Sequence, residues 1–162
     1  SGRETYGVDL DPLMIEGAQQ NLDWAMPDSD AHLLLGDATR LPHVIPSDAH
    51  HRICGFVLDP PYGRNSQGSL DHAELIRSVL ESTRMVAASS ADLVLILPIH
   101  PFGELPDEAL EPDASVELLH GKWGDIQSTF TATGWRINNR WVEHVHASLG
   151  RLILHATIVP QD

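Results

Sequence analysis

The chain has 162 residues, 42% of them hydrophobic, the size and apolar content of one domain with a real core. No apolar run approaches the ~18 residues of a membrane span and no secretory leader pattern opens the sequence, so no membrane role is expected. A net charge of −13, from 23 acids against 10 bases, argues against tight electrostatic binding of nucleic acid at ordinary ionic strength.

Taken in chain order, "ETYGVDL" (Glu4 to Leu10) reads as a short strand. "DPLMIEGAQQNLDWAM" follows with Leu13, Ile15, Ala18, Leu22 and Ala25 near helical spacing. Asp11 is a natural N-cap, Pro12 suits the first helical position, and Pro27 ends the segment. "AHLLLGD" is a second strand, followed by a Pro- and His-rich loop to about Arg52. "ICGFVLD" is a third strand, apolar enough to be buried on both faces. Asp71 can cap a helix running to about Ala88, and "ADLVLILP" is a fourth buried strand. An acidic, Pro-containing loop covers 99–121, and "GDIQSTFTATG" looks like a helix closed by Gly134. "WRINNRWVEHVHA" and "GRLILHATIV" read as two long strands of an antiparallel hairpin joined at "SLG". The order predicts an α/β fold: a mostly parallel sheet with an antiparallel C-terminal hairpin at one edge.

Only one base is a lysine, Lys122. Acid-rich and lysine-poor composition is that of proteins from extreme halophiles, whose carboxylates keep the surface hydrated in molar salt. At 1 M the Debye length is only ~3 Å, so charge does not exclude an RNA substrate. The one cysteine, Cys54, cannot form an intrachain disulfide, and a reducing, cytoplasmic setting is expected.

In parallel sheets ligands bind beyond the carboxyl ends of the strands. Asp9, Asp37 and Asp59 each end a strand here. Asp9 suits a ribose diol, with Leu10 against an adenine face. Asp37 suits an adenine amino group, with the Ala38 N–H donating to a ring nitrogen. Each acid alone is more often a helix cap or turn residue. What marks the third is its setting, "FVLDPPYGRNSQGS". Two prolines stop the ladder and stiffen the chain, and Gly63 lets it turn. The result is a rigid ledge carrying the Asp59 carboxylate and the Tyr62 ring.

"YGVDLDPLMIEGAQQNL", "LLLGDATRLP" and "GFVLDPPYGR" resemble successive nucleoside-binding, adenine-binding and catalytic motifs of Rossmann-like (class I) S-adenosylmethionine-dependent methyltransferases. Their Asp/Asn-Pro-Pro-Tyr branch methylates amino nitrogens. Within it, DPPYGR, the G-A-x-x-N-L helix and "HASLGR" resemble the archaeal and eukaryotic enzymes that methylate the 2-amino group of guanosine 10 in tRNA. The resemblance implies S-adenosylmethionine as cofactor, bound by Asp9, Leu10, Asp37, Ala38 and Asp59. It implies Asp59, Pro60 and Tyr62 as catalytic residues. The guanine amino group is a poor nucleophile, because its lone pair is delocalised into the ring. Asp59 and the Pro60 carbonyl would bind its two hydrogens, and Tyr62 would stack on the base. Pro61, Gly63, Arg64 and Asn65 complete the substrate side.

The family's first motif, a strand followed by a glycine-rich loop, is not found in the chain. Residues 1–162 are therefore expected to be the C-terminal part of the catalytic domain. A unit of roughly 30 residues would complete it, with an RNA-binding THUMP domain ahead. The implied partners are tRNA, that completing segment or chain, and a small zinc-binding activator subunit. Adenine 6-amino methylation of DNA or RNA also uses Asp-Pro-Pro-Tyr and stays open, as does a non-catalytic binding or scaffolding role. Ten histidines raise the question of a metal, but there is no His-Glu-x-x-His and no cysteine pair, so none is expected. Trp24, Trp123, Trp135 and Trp141 are expected in core or edge packing, and Arg151 in a structural role.

Overall fold

The computed structural model describes residues 3–60, 72–99, 115–116, 121–146 and 149–159. Its elements are β1 (Thr5–Asp9), α1 (Pro12–Ala25), β2 (Ala31–Leu35), α2 (Leu41–Val44), β3 (Ile53–Leu58), α3 (His72–Val86), β4 (Ala87–Ile99), β5 (Ser115–Val116), β6 (Gly121–Lys122), α4 (Trp123–Ala132), β7 (Trp135–His146) and β8 (Leu149–Ile158). The strand and helix order expected from the sequence is present. β4 starts four residues earlier than the apolar run suggested, because Ala87 follows α3 directly and enters the ladder with Ile53.

The strands form two main ladders. β1 pairs in parallel with β2, Val8 opposite Leu34. A four-stranded sheet has the order β3-β4-β8-β7, with β3 parallel to β4 and the terminal hairpin antiparallel at the edge. β5 and β6 make a small separate pair. Among the described residues no ladder joins β1–β2 to β3.

One helical layer serves both sheets. α3 turns Ile76, Val79, Leu80, Thr83 and Val86 inward, a helical spacing that gives one apolar face. With α4 it covers Leu93, Leu95 and Leu97 of β4 and Leu152, Leu154 and Ala156 of β8. β8 alternates strictly: even positions are buried and odd positions half-buried. The segment read as a loop after Asp37 is instead folded. It makes a 3-10 turn (Ala38–Arg40), α2 and a second 3-10 turn (Ser47–Ala49), burying Leu41, Ile45 and Ala49. Pro42 sits in the first turn of α2, where its missing N–H costs nothing. The Leu41 N–H donates to Ser82 Oγ at 2.7 Å, which ties this segment to α3.

The tryptophans divide. Trp123 and Trp135 are fully buried, whereas Trp24 and Trp141 are 86% and 53% exposed, so the packing expected for those two is not provided by the described residues. α1 forms where the sequence places it, with Asp11 capping through a 2.8 Å bond from the Leu13 N–H, yet none of its residues is buried.

α4 ends at Gly134, as expected. Its φ of +81° lies in the left-handed region, and its carbonyl accepts from the Val159 N–H at 3.0 Å. A Cβ there would sit 3.3 Å from Arg84 Nε. Gly134→Ala is expected to lower stability by ~1–2 kcal/mol, the cost of a left-handed L-residue. Urea unfolding of the two proteins checks this; an unchanged midpoint would contradict it.

Candidate functional site

The site is built at the carboxyl ends of β1, β2 and β3. The Gly36 N–H donates to the Asp9 carbonyl oxygen at 2.9 Å, so Asp37 leaves β2 beside the end of β1. Gly36 is required by close approach: a Cβ there would lie 2.6 Å from Val44 Cγ1.

Asp9 is exposed, and its Oδ1 accepts the Asp11 N–H at 2.8 Å. That bond fixes the carboxylate at the strand end and leaves Oδ2 as the outward acceptor. Leu10, next to it, is 70% exposed and takes no part in the core. Asp37 is half-buried and caps the 3-10 turn, its Oδ1 accepting from the Thr39 N–H at 2.9 Å and the Thr39 hydroxyl at 2.7 Å. Cap and ligand acceptor are compatible here, because both capping bonds use one oxygen. Ala38 opens the same turn. Thr39 was not singled out from the sequence; a hydroxyl two residues after an acid is the local signal that it orients that carboxylate.

Asp59 and Pro60 leave the end of β3, Asp59 exposed and Pro60 half-buried. The ledge therefore begins where the sequence puts it. Pro61, Tyr62, Gly63, Arg64 and Asn65 lie outside the described residues, as does the Asp71 cap.

Glu4 and Arg52 stand just before β1 and β3, and their side chains meet at 3.9 Å. Tyr6 and Val8 of β1 and Ile53 and Phe56 of β3 also pack on one cluster, formed by Leu41, Ile45, Ala49 and Val86. At the amino end of β1, the Tyr6 hydroxyl donates to Glu4 Oε1 at 2.6 Å, and that bond raises the phenol pKa to about 12. Arg151, opposite Pro98 near the end of β4, has a buried Nε with no hydrogen-bond partner among the described residues.

Residues 2–128 match the UPF0020 family model, described as an RMKL-like methyltransferase domain. The chain belongs to this family. A curated relative of this methyltransferase domain, the tRNA (guanine(10)-N2)-dimethyltransferase of Pyrococcus abyssi, is 28% identical over 150 residues, 93% of the chain. The chain spans 37% of that relative's length. Solved structures give the same fold. A SAM-dependent methyltransferase from Methanosarcina mazei aligns over 97% of the chain and 83% of its own length, at 13% identity and a TM-score of 0.66. Magnesium protoporphyrin IX methyltransferase from Synechocystis PCC 6803, solved with bound SAM, aligns over 94% and 58% at 17% identity, TM-score 0.59. The Rossmann-like methyltransferase fold expected from the motifs is the fold of this domain.

Proposed function

We propose that the domain takes part in S-adenosylmethionine-dependent methylation of the 2-amino group of a guanosine in tRNA, at position 10. The observation that carries this reading is Asp59-Pro60 following β3, with Asp9 closing β1 and Asp37 following β2, in a chain that aligns over 93% of its length with a tRNA guanine-N2 dimethyltransferase.

The described residues fit the cofactor. Asp9 offers a carboxylate oxygen for a ribose diol, exposed Leu10 an apolar surface for a purine, and Asp37 a second acceptor beside it. Bound there, S-adenosylmethionine supplies an electrophilic methyl group. The chain's own residues prepare the acceptor. The Asp59 carboxylate and Pro60 carbonyl take the two amino hydrogens and favour a pyramidal nitrogen with its lone pair turned outward. Tyr62 holds the base by stacking, after the base has left its helix at a cost of a few kcal/mol. Orientation supplies most of the rate. Pro61, Gly63, Arg64 and Asn65 would shape the base pocket. The active protein is longer than this chain and works on tRNA in the cytoplasm, with a THUMP domain and a small zinc-binding activator as its partners.

In that protein, Asp9→Ala is expected to weaken cofactor binding by roughly tenfold to more than a hundredfold, the ~1.5–3 kcal/mol of a charge-assisted hydrogen bond. Calorimetric titration tests this, and unchanged affinity would remove Asp9 from the cofactor site.

The acidic surface adds a salt dependence. With net charge −13 and one lysine, carboxylates repel one another in dilute buffer. The complete protein is expected to melt at higher temperature in ~1 M KCl, where the Debye length is ~3 Å. RNA affinity should fall only gently across the same series, because few cations are present to release counterions. A melting temperature that falls with KCl would contradict the halophilic reading, and a steep loss of affinity would make phosphate contacts dominant.

A further inference from the structure

Arg151 has a place in the fold that neither the core nor the proposed reaction uses. It lies on β8 between Pro98 of β4 on one side and Glu143 of β7 on the other. Its neighbours Gly150 and Leu152 are buried, and strand residues alternate between faces, so Arg151 stands on the sheet face turned away from α3 and α4. Gly150 fixes the backbone just before it. A Cβ there would lie 3.0 Å from Ile99 Cγ1 and 3.5 Å from the Glu143 carbonyl oxygen, so β8 is pressed between β4 and β7 at this point.

The register relates Arg151 to Asp59. Leu58 pairs with Leu95, so Asp59 continues level with Ile96, which pairs with Ile153. Leu58 packs on the core, and Asp59, next in the chain, falls on the other face with Arg151. Arg151 is two strands across from Asp59 and two residues farther along, ~12 Å between α-carbons at the usual strand spacing of ~4.8 Å and rise of ~3.3 Å. That gap has the scale of one nucleotide, from the edge of its base to its phosphate.

A purely structural arginine on a sheet is tied to a neighbouring acid. Glu143 is directly opposite, yet among the described residues no ion pair joins the two, and the Arg151 Nε is buried without a hydrogen-bond partner. The residue as a whole is only half-buried, so the site of the guanidinium is not closed off. Several of the chain's other cations are engaged or distant. Arg3 and Arg52 precede β1 and β3, Arg136 is opposite Thr157 at the far end of the hairpin, and Arg140 lies over the Trp123 ring.

We infer that Arg151 is a substrate-binding residue that holds a backbone phosphate of the RNA, at the nucleotide whose amino group meets Asp59. Its Nε–H and a terminal N–H make the paired bonds that a guanidinium forms with two phosphate oxygens. The contact carries no sequence information. It sets the register of the strand, so that the target base reaches Asp59 and not its neighbour. The inference rests on the reading of Asp59 as the acceptor site of an RNA methyltransferase, and not on which base is methylated.

The test uses Arg151→Met in the complete protein, which keeps much of the side chain's volume and removes its charge and donors. Binding of labelled tRNA is measured across a KCl series, and cofactor binding by calorimetry. Affinity for tRNA at low salt is expected to fall roughly tenfold to more than a hundredfold. The slope of log affinity against log salt should become shallower by ~0.7–0.9, the loss of one phosphate contact, with cofactor affinity unchanged. Arg151→Lys keeps the point charge and should keep the slope, with an affinity between the other two. It decides the matter if the methionine protein does not fold: an affinity equal to wild type would overturn the inference. A methionine variant of lower affinity but unchanged slope would also overturn it, by making Arg151 a support for other residues, as would unchanged tRNA affinity or a changed cofactor affinity. The two readings fail separately. Methyl transfer to an adenine, with the shallower slope still seen in the variant, would overturn the choice of guanosine and leave the phosphate contact standing. A wild-type protein that binds no RNA would overturn both.

Discussion

Asp59→Ala in the complete protein is expected to lower turnover by roughly tenfold to more than a hundredfold, the cost of ~1.5–3 kcal/mol of charge-assisted hydrogen bonding to the acceptor amine. The cofactor's KM should change little, because the ribose is assigned to Asp9 at the end of β1. The separation follows from placement: Asp59 ends β3 and precedes Pro60, while Asp9 ends β1 and is pinned by the Asp11 N–H. Asp59→Asn keeps an acceptor oxygen and loses the charge, so it should fall between wild type and alanine. Steady-state kinetics with cofactor and tRNA titrated separately decides the matter. A variant altered only in the cofactor's KM would move Asp59 from the acceptor site to the cofactor site.

The largest stability loss is expected from Trp135→Ala. Trp135 is fully buried at the start of β7, its ring meets Phe56 edge to face at 6.0 Å, and its Nε1–H donates to the Leu80 carbonyl at 3.1 Å. One side chain therefore links the hairpin to α3 and to the strand that carries Asp59. Removing such a ring costs ~3–5 kcal/mol, a large part of a domain's usual ~5–15 kcal/mol. Trp135→Phe keeps most of the packing and loses the hydrogen bond, for ~1 kcal/mol. Denaturant midpoints of the three proteins test this; a shift for alanine no larger than for phenylalanine would mean that the ring does not anchor the hairpin.

The legible parts of the fold were those set by local chemistry. Asp11-Pro12 announces the start of α1, Gly134 the end of α4, and the alternation from Leu149 to Ile158 the terminal strand. The segment from Ala38 to Ala49 was not legible, because Pro42, His43 and Pro46 look like a loop. Its turns are held by tertiary contact instead, Leu41 to Ser82 above all. Trp24 and Trp141 misled for a related reason: a large aromatic predicts burial, but not whether the covering surface lies within the described residues. At the candidate site, Asp9 closes β1 and Asp37 and Asp59 follow β2 and β3, at the strand ends where the sequence puts them. Thr39 escaped notice because its role is to orient another side chain. The split between the two ladders among the described residues was not legible, since no residue pattern in β1 or β3 marks it.

The most direct test of the account is nucleoside analysis of unmodified tRNA transcript treated with the complete protein and S-adenosylmethionine carrying an isotopically labelled methyl group. Digestion and mass spectrometry should show label in N2-methylated guanosine, mapped to position 10 and lost when that guanosine is replaced. Label in N6-methyladenosine, or no transfer to tRNA by a protein shown to bind the cofactor, would contradict it.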